Sequence, residues 1–415
     1  MFGKNVANYH KKRFMIYLLI IILLFIFVCI YDLHSNTSGK SICYWGMCVL
    51  LVGIAGFRYR LGIDTIAYMN IFESNTPQIT DFLTAYNRDE LPFEFASSLL
   101  FSLGKTISDS WFVTQFIIAF ITNLSIFIFA NKNTPYKFTF VLLYFALLYF
   151  DLSFETLRQA CALSFALWGF EFLKDKAYVS YYMLTLVAIL FHPVAIILLV
   201  IPFLQIKFNL AFAVGLSLLC LVFSLFFNTF FTNLNTLFEF LGVDSLQEKA
   251  LLYTEGEALG TESQNITGRN WKFYAEQLLV YLIPIYLICY LSKSLIEAEN
   301  NKHLSPFLYI WVLSVSLQSA IPIIYRLKEF VLPICLIAFA EALVTAIASK
   351  SMQKNVILTY SIVMMLFYGS YVKFFRLVDN DRHTYPRIVS YFPYANCFTQ
   401  ETDAQREYYY NEVGR

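Results

Sequence analysis

Charge is scarce in this chain of 415 residues. Only 14% are Asp, Glu, Lys or Arg, against 58% hydrophobic, which excludes an ordinary soluble globular protein. Neither sign dominates. A formal net charge of +1 argues against a nucleic-acid partner, which normally requires a basic face. Close cysteine pairs of the metal-binding kind are also missing. Cys29, Cys43, Cys48, Cys161, Cys220, Cys289 and Cys335 lie in apolar runs, and Cys397 stands alone near the end; all read as small buried hydrophobes. There is no glycine-rich phosphate loop, no serine-centred nucleophile elbow and no paired metal-ligand motif. No cleavable signal peptide is expected: Lys11, Lys12 and Arg13 precede an apolar run that lacks a small-residue cleavage site, and a second apolar run follows at once.

What the chain does have is apolar runs long enough to meet a membrane, where a crossing helix takes about 20 residues. Candidate crossings are 14–31, 41–57, 111–130, 136–151, 158–173, 177–191, 193–206, 208–230, 274–291, 304–321, 325–347 and 354–371. The fold class expected is therefore all-α and polytopic, with about twelve transmembrane helices. The run 193–206 is short enough to be re-entrant. The run 93–107 mixes Glu94, Ser97, Ser98, Ser102, Gly104 and Lys105 into its apolar residues and reads as an amphipathic juxtamembrane or re-entrant helix.

The cations sort between the gaps. Lys40, Lys132, Lys137, Lys174, Lys176, Lys207, Lys293, Lys302, Lys350 and Lys354 fall on one side. Arg13 apart, every arginine falls on the other: Arg58, Arg60, Arg88, Arg158, Arg269, Arg326, Arg376, Arg382, Arg387, Arg406 and Arg415. Lysine loops mark the cytoplasm, whereas arginine presents a rigid fork that grips phosphate bidentately. Segments 58–110, 151–157, 192, 231–273, 322–326 and 372–415 then lie outside. The scheme also places the amino terminus outside, against the preference of Lys11, Lys12 and Arg13. Residues 1–371 form one integral membrane domain with extracytoplasmic segments 58–110 and 231–273, followed by a polar, tyrosine-rich extracytoplasmic tail over 372–415.

Four polar clusters interrupt the apolar pattern on the arginine side. The densest runs from Phe57 to Tyr68, with Arg58, Tyr59, Arg60, Gly62 and Asp64. A helix beginning near Thr65 would have Asp64 as its N-cap and Tyr68 one turn further on the same side. The plain alternative is a snorkelling arginine pair beside a routine cap. The second cluster holds Glu155, Arg158 and Gln159; its alternative is a local Glu155–Arg158 pair. Third is Phe191-His192-Pro193, where the proline opens a helix and His192 is either a hydrogen-bonded linker or a contact to substrate. Fourth is Arg326 after Pro322, alternatively a loop marker paired with Glu329. Asp379-Asn380-Asp381 reads as a solvated loop, and the Asn265-Ile266-Thr267 sequon as a chance triplet.

In order, these residues resemble the EpsG family of Wzy-type polysaccharide polymerases. The family's Arg-Tyr-x-x-Gly-x-Asp-x-x-x-Tyr segment is matched by Arg58, Tyr59, Gly62, Asp64 and Tyr68. Its acidic start to the next helix is matched by Glu94, its Arg-Gln by Arg158 and Gln159, its Phe-His by Phe191 and His192, and its late arginine by Arg326. The resemblance covers roughly 14–371, although Pro92-Phe93-Glu94-Phe95 departs from the usual pattern and the amino terminus is longer and more basic.

The resemblance implies a GT-C-like, multi-pass enzyme of the bacterial inner membrane that joins polyprenyl-pyrophosphate-linked oligosaccharide repeat units at its outer face. Its partners would be that lipid-linked glycan, membrane lipid and a chain-length regulator. Negative charge gathers on the departing pyrophosphate, and preorganised cations stabilise that state above the ground state. The implied roles are leaving-group stabilisation by Arg58, Arg60, Arg158 and Arg326, proton acceptance by Asp64 or His192, and substrate contact by Tyr59, Tyr68, Glu94 and Gln159. No metal or cofactor is implied, since arginine supplies the charge. Competing readings are a flippase or transporter of lipid-linked glycans, an O-antigen-ligase-like transferase, and a membrane O-acyltransferase. Paired halves with matching broken helices, expected of many transporters, are not evident.

Overall fold

A computed structural model of the chain describes residues 15–88, 90–224, 275–298, 301–318, 324–349, 351–368, 374–375, 377–378 and 385–412. The expectations placed on Lys11–Arg13, on 231–273, on Pro322 and on Asp379–Asp381 fall outside these residues. The helices are α1 (Met15–Phe27, continued by a π-helical turn over Val28–Leu33), α2 (Lys40–Gly56), α3 (Ile63–Ser74), α4 (Phe82–Asn87), α5 (Phe95–Ile107), α6 (Trp111–Asn133) and α7 (Lys137–Leu147). A second π-helical turn, Asp151–Glu155, leads into α8 (Leu157–Lys174) and α9 (Tyr178–Phe191), and a 3-10 helix covers Pro193–Leu204. Then come α10 (Leu210–Ser224), α11 (Ile283–Leu291, entered through a π-helical stretch Gln277–Leu282), α12 (Ser305–Leu317), α13 (Ile324–Ala348), α14 (Met352–Ile362) and finally α15 (Ala404–Glu412). Strand is confined to Leu377–Val378 and Tyr385–Pro386 among the described residues.

Every apolar run expected to cross the membrane carries helix, because a chain in hydrocarbon must satisfy its own backbone polar groups. Among the described residues three helices, Ile16–Leu33, Trp111–Asn133 and Ile324–Ala348, are long and apolar enough to span a bilayer by length and composition; the other apolar helices there are shorter. At about 1.5 Å per residue, the 23 residues of α6 cover a hydrocarbon core of about 30 Å. This is a membrane-type protein.

The chain divides into two compact units, Met1–Phe203 with Asp379–Gly414, and Leu204–Val378 with Arg415. In the first, α8 and α9 form an antiparallel hairpin, α2 lies along α6, α6 packs on α8, and α1 on α7. The amphipathic helix α5 buries Ser97, Ser98, Phe101, Ser102 and Gly104 against its neighbours and leaves Leu103 and Ile107 exposed. In the second unit, α12 lies on α13, and α11 packs against α13 and α14.

The helices of the first unit have a lysine end and an arginine end. At the lysine end Asp32 accepts from the Thr139 amide (2.8 Å) and hydroxyl (2.9 Å) at the start of α7, and Lys40 reaches Asp32 at 3.4 Å. Lys174 bonds Asn133 at 2.8 Å there too. The arginine end gathers the loop between α2 and α3, the starts of α5 and α8, and the C-terminal segment. Lys105, donating to the Phe72 carbonyl at 3.2 Å, is the exception.

Candidate functional site

The loop from Phe57 to Ile63 is built around Arg58. Its side chain is completely buried, donating from Nε to Leu61 O (3.3 Å), from Nη1 to Ala55 O (2.5 Å) and from Nη2 to Thr65 Oγ1 (3.2 Å). The guanidinium lies 5.0 Å from the Phe154 ring centroid. Burial pulls its pKa down to about 10, which leaves it protonated at neutral pH. Arg58 thus spends its fork on folding its own loop, a different use from the phosphate contact expected of it. Gln115 of α6 fixes the loop from beneath, donating to Gly56 O (2.8 Å) and Arg58 O (2.9 Å).

Gly62 sits where three segments meet. Its φ of +92° suits glycine, and a Cβ there would stand 2.4 Å from Phe154 O. Its amide donates to Ser390 O at 3.0 Å, while Thr65 Oγ1 donates to Phe154 O at 2.8 Å. The loop, the turn Asp151–Glu155 and the C-terminal segment therefore touch at one residue.

Because Gly62 takes the N-cap position, α3 begins at Ile63, and Asp64 is its second residue rather than its cap. The exposed Asp64 carboxylate still stands in the first turn, where the helix dipole favours negative charge. Tyr68, one turn on, is buried among Phe72, Phe101, Trp111 and Leu157.

Arg158, in the first turn of α8, lies across this aromatic floor. Its Nη1 pairs with Glu94 Oε2 at 2.5 Å, its guanidinium covers the Phe93 ring at 4.5 Å, and it donates to the Tyr68 hydroxyl. Its Nε is buried and has no hydrogen-bond partner among the described residues, although the side chain as a whole is 23% exposed. The local Glu155–Arg158 alternative is not what forms: Glu155 instead bonds Arg387 and Tyr391. Gln159 is buried beside Arg158. Ser97 of α5 donates to Phe191 O at 2.9 Å, which brings Phe191 and His192 to the same corner as Glu94. His192 Nδ1 accepts from the Val194 amide at 3.1 Å, so the neutral ring carries its proton on Nε2.

The remaining wall comes from the far end of the chain. Asn396 bridges Arg58 in antiparallel fashion, Tyr59 N donates to Ala395 O (2.9 Å), and Cys397 N to Phe57 O (2.8 Å). Arg60, with φ of +50°, forks onto Glu407 of α15 at 2.8 Å (Nε) and 2.5 Å (Nη2). The hydrogen bonds that Arg60 donates to the Glu407 carboxylate lift its pKa above the ordinary value. Tyr410 donates its hydroxyl proton between Arg60 O (3.0 Å) and Ser390 O (3.1 Å). Arg406, wholly buried, bonds Val389 O (3.3 Å) and Pro393 O.

Of the expected residues, Arg58, Tyr59, Arg60, Asp64, Tyr68, Glu94, Arg158, Gln159 and His192 belong to the first unit. Arg326 lies in the second, in the first turn of α13, with its Nε 3.3 Å from the Tyr325 hydroxyl. Gln115, Arg387, Tyr391 and Glu407 join the site unexpectedly, and Glu155, expected beside Arg158, turns to Arg387 and Tyr391 instead. Gln115 is an amide near the start of an apolar run, a sign in itself that something polar needs holding; Arg387, Tyr391 and Glu407 lack any local signal. Compared with known proteins, the sequence matches the model of the EpsG family over residues 41–395. No curated protein and no solved structure matches it.

Proposed function

The chain belongs to the EpsG family, and from that premise we propose that it polymerises polyprenyl-pyrophosphate-linked oligosaccharide repeat units at the outer face of the bacterial inner membrane. In this reading the chain makes about twelve crossings in a GT-C-like arrangement, and the site lies at the arginine end of the first unit. A hydroxyl oxygen of the incoming unit bonds to the anomeric carbon of the growing chain. The bond from that carbon to the pyrophosphate oxygen breaks, the electron pair leaves with the polyprenyl pyrophosphate, and the hydroxyl proton passes to a protein base.

The observation that carries this reading is the state of Arg158. Glu94 holds the Nη1 corner, while the buried Nε has no partner among the described residues. A buried donor without a partner calls for one, and a phosphate oxygen is the acceptor that arginine grips best. Asp64 is the better base of the two considered: it is exposed at a helix start, whereas His192 has committed Nδ1 to the Val194 amide. Tyr68 and Glu94 orient Arg158; Gln159 adds a polar contact at its side. Arg58 contributes the shape of the loop, and Arg60 supplies further positive charge.

A strain lacking this protein tests the reading. A polymerase predicts single lipid-linked repeat units at the outer face, with polymer restored by the wild-type gene. Absence of outer-face units would make the protein a flippase. Long polymer stranded on its lipid carrier would make it a ligase.

A further inference from the structure

The C-terminal segment binds both arms of the site. Toward the α8 arm, Arg387 pairs with Glu155 and lies 4.0 Å from Asp151, while Tyr391 donates to the other Glu155 oxygen. Glu155 is 94% buried and Asp151 97% buried. A buried carboxylate left without a countercharge is strongly destabilising, so Arg387, with Tyr391, holds the turn Asp151–Glu155 in this place. That turn ends three residues before Arg158. Toward the loop arm, Glu407 holds the Arg60 fork and the Tyr410 hydroxyl holds the Arg60 carbonyl. Ser390, between these two grips, bonds Gly62. The segment itself is pinned from within by Arg406, on Val389 O and Pro393 O, and from α1 and α2 by Tyr17 on Tyr391 O (3.2 Å) and Tyr394 on Ile54 O (3.1 Å).

We propose that Arg387, Tyr391 and Glu407 are positioning residues of the glycosyl-transfer site, which set the placement of Arg158 relative to Asp64 by holding Glu155 on one side and Arg60 on the other. The tail is then a working wall of the site. This rests on the proposed function for its chemistry, but not for its mechanics. Helix α15 lies beyond the family match at residue 395, so the Arg60–Glu407 clamp is a feature of this chain that the match does not cover. Reacting groups displaced by about 1 Å lose on the order of 100-fold in rate, and neither Arg387 nor Glu407 needs to touch substrate to exert that control.

The test uses the full-length protein in lipid nanodiscs, as wild type, Arg387→Ala, Glu407→Gln and the charge swap Glu155→Arg/Arg387→Glu. Two readouts run in parallel: kcat and KM on a purified polyprenyl-pyrophosphate-linked repeat unit, and amide hydrogen exchange over 57–65 and 151–160. Positioning predicts that Arg387→Ala lowers kcat tenfold or more with KM within threefold. Exchange should rise in both segments, and the swap should recover part of the loss. Unchanged exchange and unchanged kcat per folded molecule in both single variants overturn the proposal. Should the wild type make no polymer, the functional reading fails by itself, and the exchange data still decide the mechanical claim.

Discussion

Arg158 closes on Glu94, 64 positions earlier in the chain, at 2.5 Å, and not on Glu155, which precedes it by one helical turn. The pairing joins α8 to the start of α5 and stretches the guanidinium over Phe93. Glu94 thereby fixes the direction in which the fork faces. Replacing Glu94 with Gln keeps the shape but removes the charge assistance, about half the strength of such a bond. Polymerisation by Glu94→Gln is expected to fall about tenfold, equivalent to ~1.4 kcal/mol, and Glu94→Asp to fall less. Polymer yield from repeat units in membranes checks both.

Gly62 is expected to be intolerant of a side chain. Gly62→Ala sets a methyl group 2.4 Å from Phe154 O at a φ of +92°, and both the clash and the backbone conformation are unfavourable, the latter by about 1–3 kcal/mol. Gly46→Ala in α2 meets nothing within 4 Å and serves as the tolerated control. Thermal midpoints in detergent should separate the two by several degrees.

Arg58 and Arg158 should fail in different ways. Arg58→Lys leaves buried carbonyls at Ala55 and Leu61 short of donors, a loss of roughly 2–4 kcal/mol that appears as lowered stability and yield. Arg158→Lys should leave the fold intact, since lysine can keep the pair with Glu94 and the side chain is partly exposed, unlike that of Arg58. Melting curves beside activity measurements make the comparison.

The two candidate bases are also separable. Asp64→Asn should lower kcat by about 10²–10⁴ with little change in stability. His192→Asn keeps a side-chain acceptor for the Val194 amide, as asparagine does at helix starts, and should cost far less. Equal losses for the two substitutions would return His192 to the chemistry.

The helices were legible because apolar runs between charged gaps leave a membrane chain no alternative; each of the runs from 14–31 to 354–371 carries helix. The clustered polar residues were legible too, as departures from that pattern. What local pattern could not supply was pairing. Glu155 and Arg158 sit at ideal helical spacing, yet the π-helical turn through Asp151–Glu155 rotates Glu155 toward Arg387, 232 positions away. Asp64 lies two positions inside the helix it is expected to cap, because Gly62 takes the N-cap position. Arg58 looked like a ligand for phosphate and folds its own loop instead; an arginine's partners are set by burial, which composition does not reveal. The tail reads as polar for the same reason, since Tyr391 is buried against Glu155 and Tyr17, far away in the sequence.

The idea that Arg158 grips the departing diphosphate is tested most directly by the rate of the purified protein on a lipid-linked repeat unit when that one side chain is changed to lysine. Charge is kept and the fork is lost, so kcat should drop about 10²–10³-fold while KM changes little. An Arg158→Lys protein that polymerises as fast as the wild type would contradict the account.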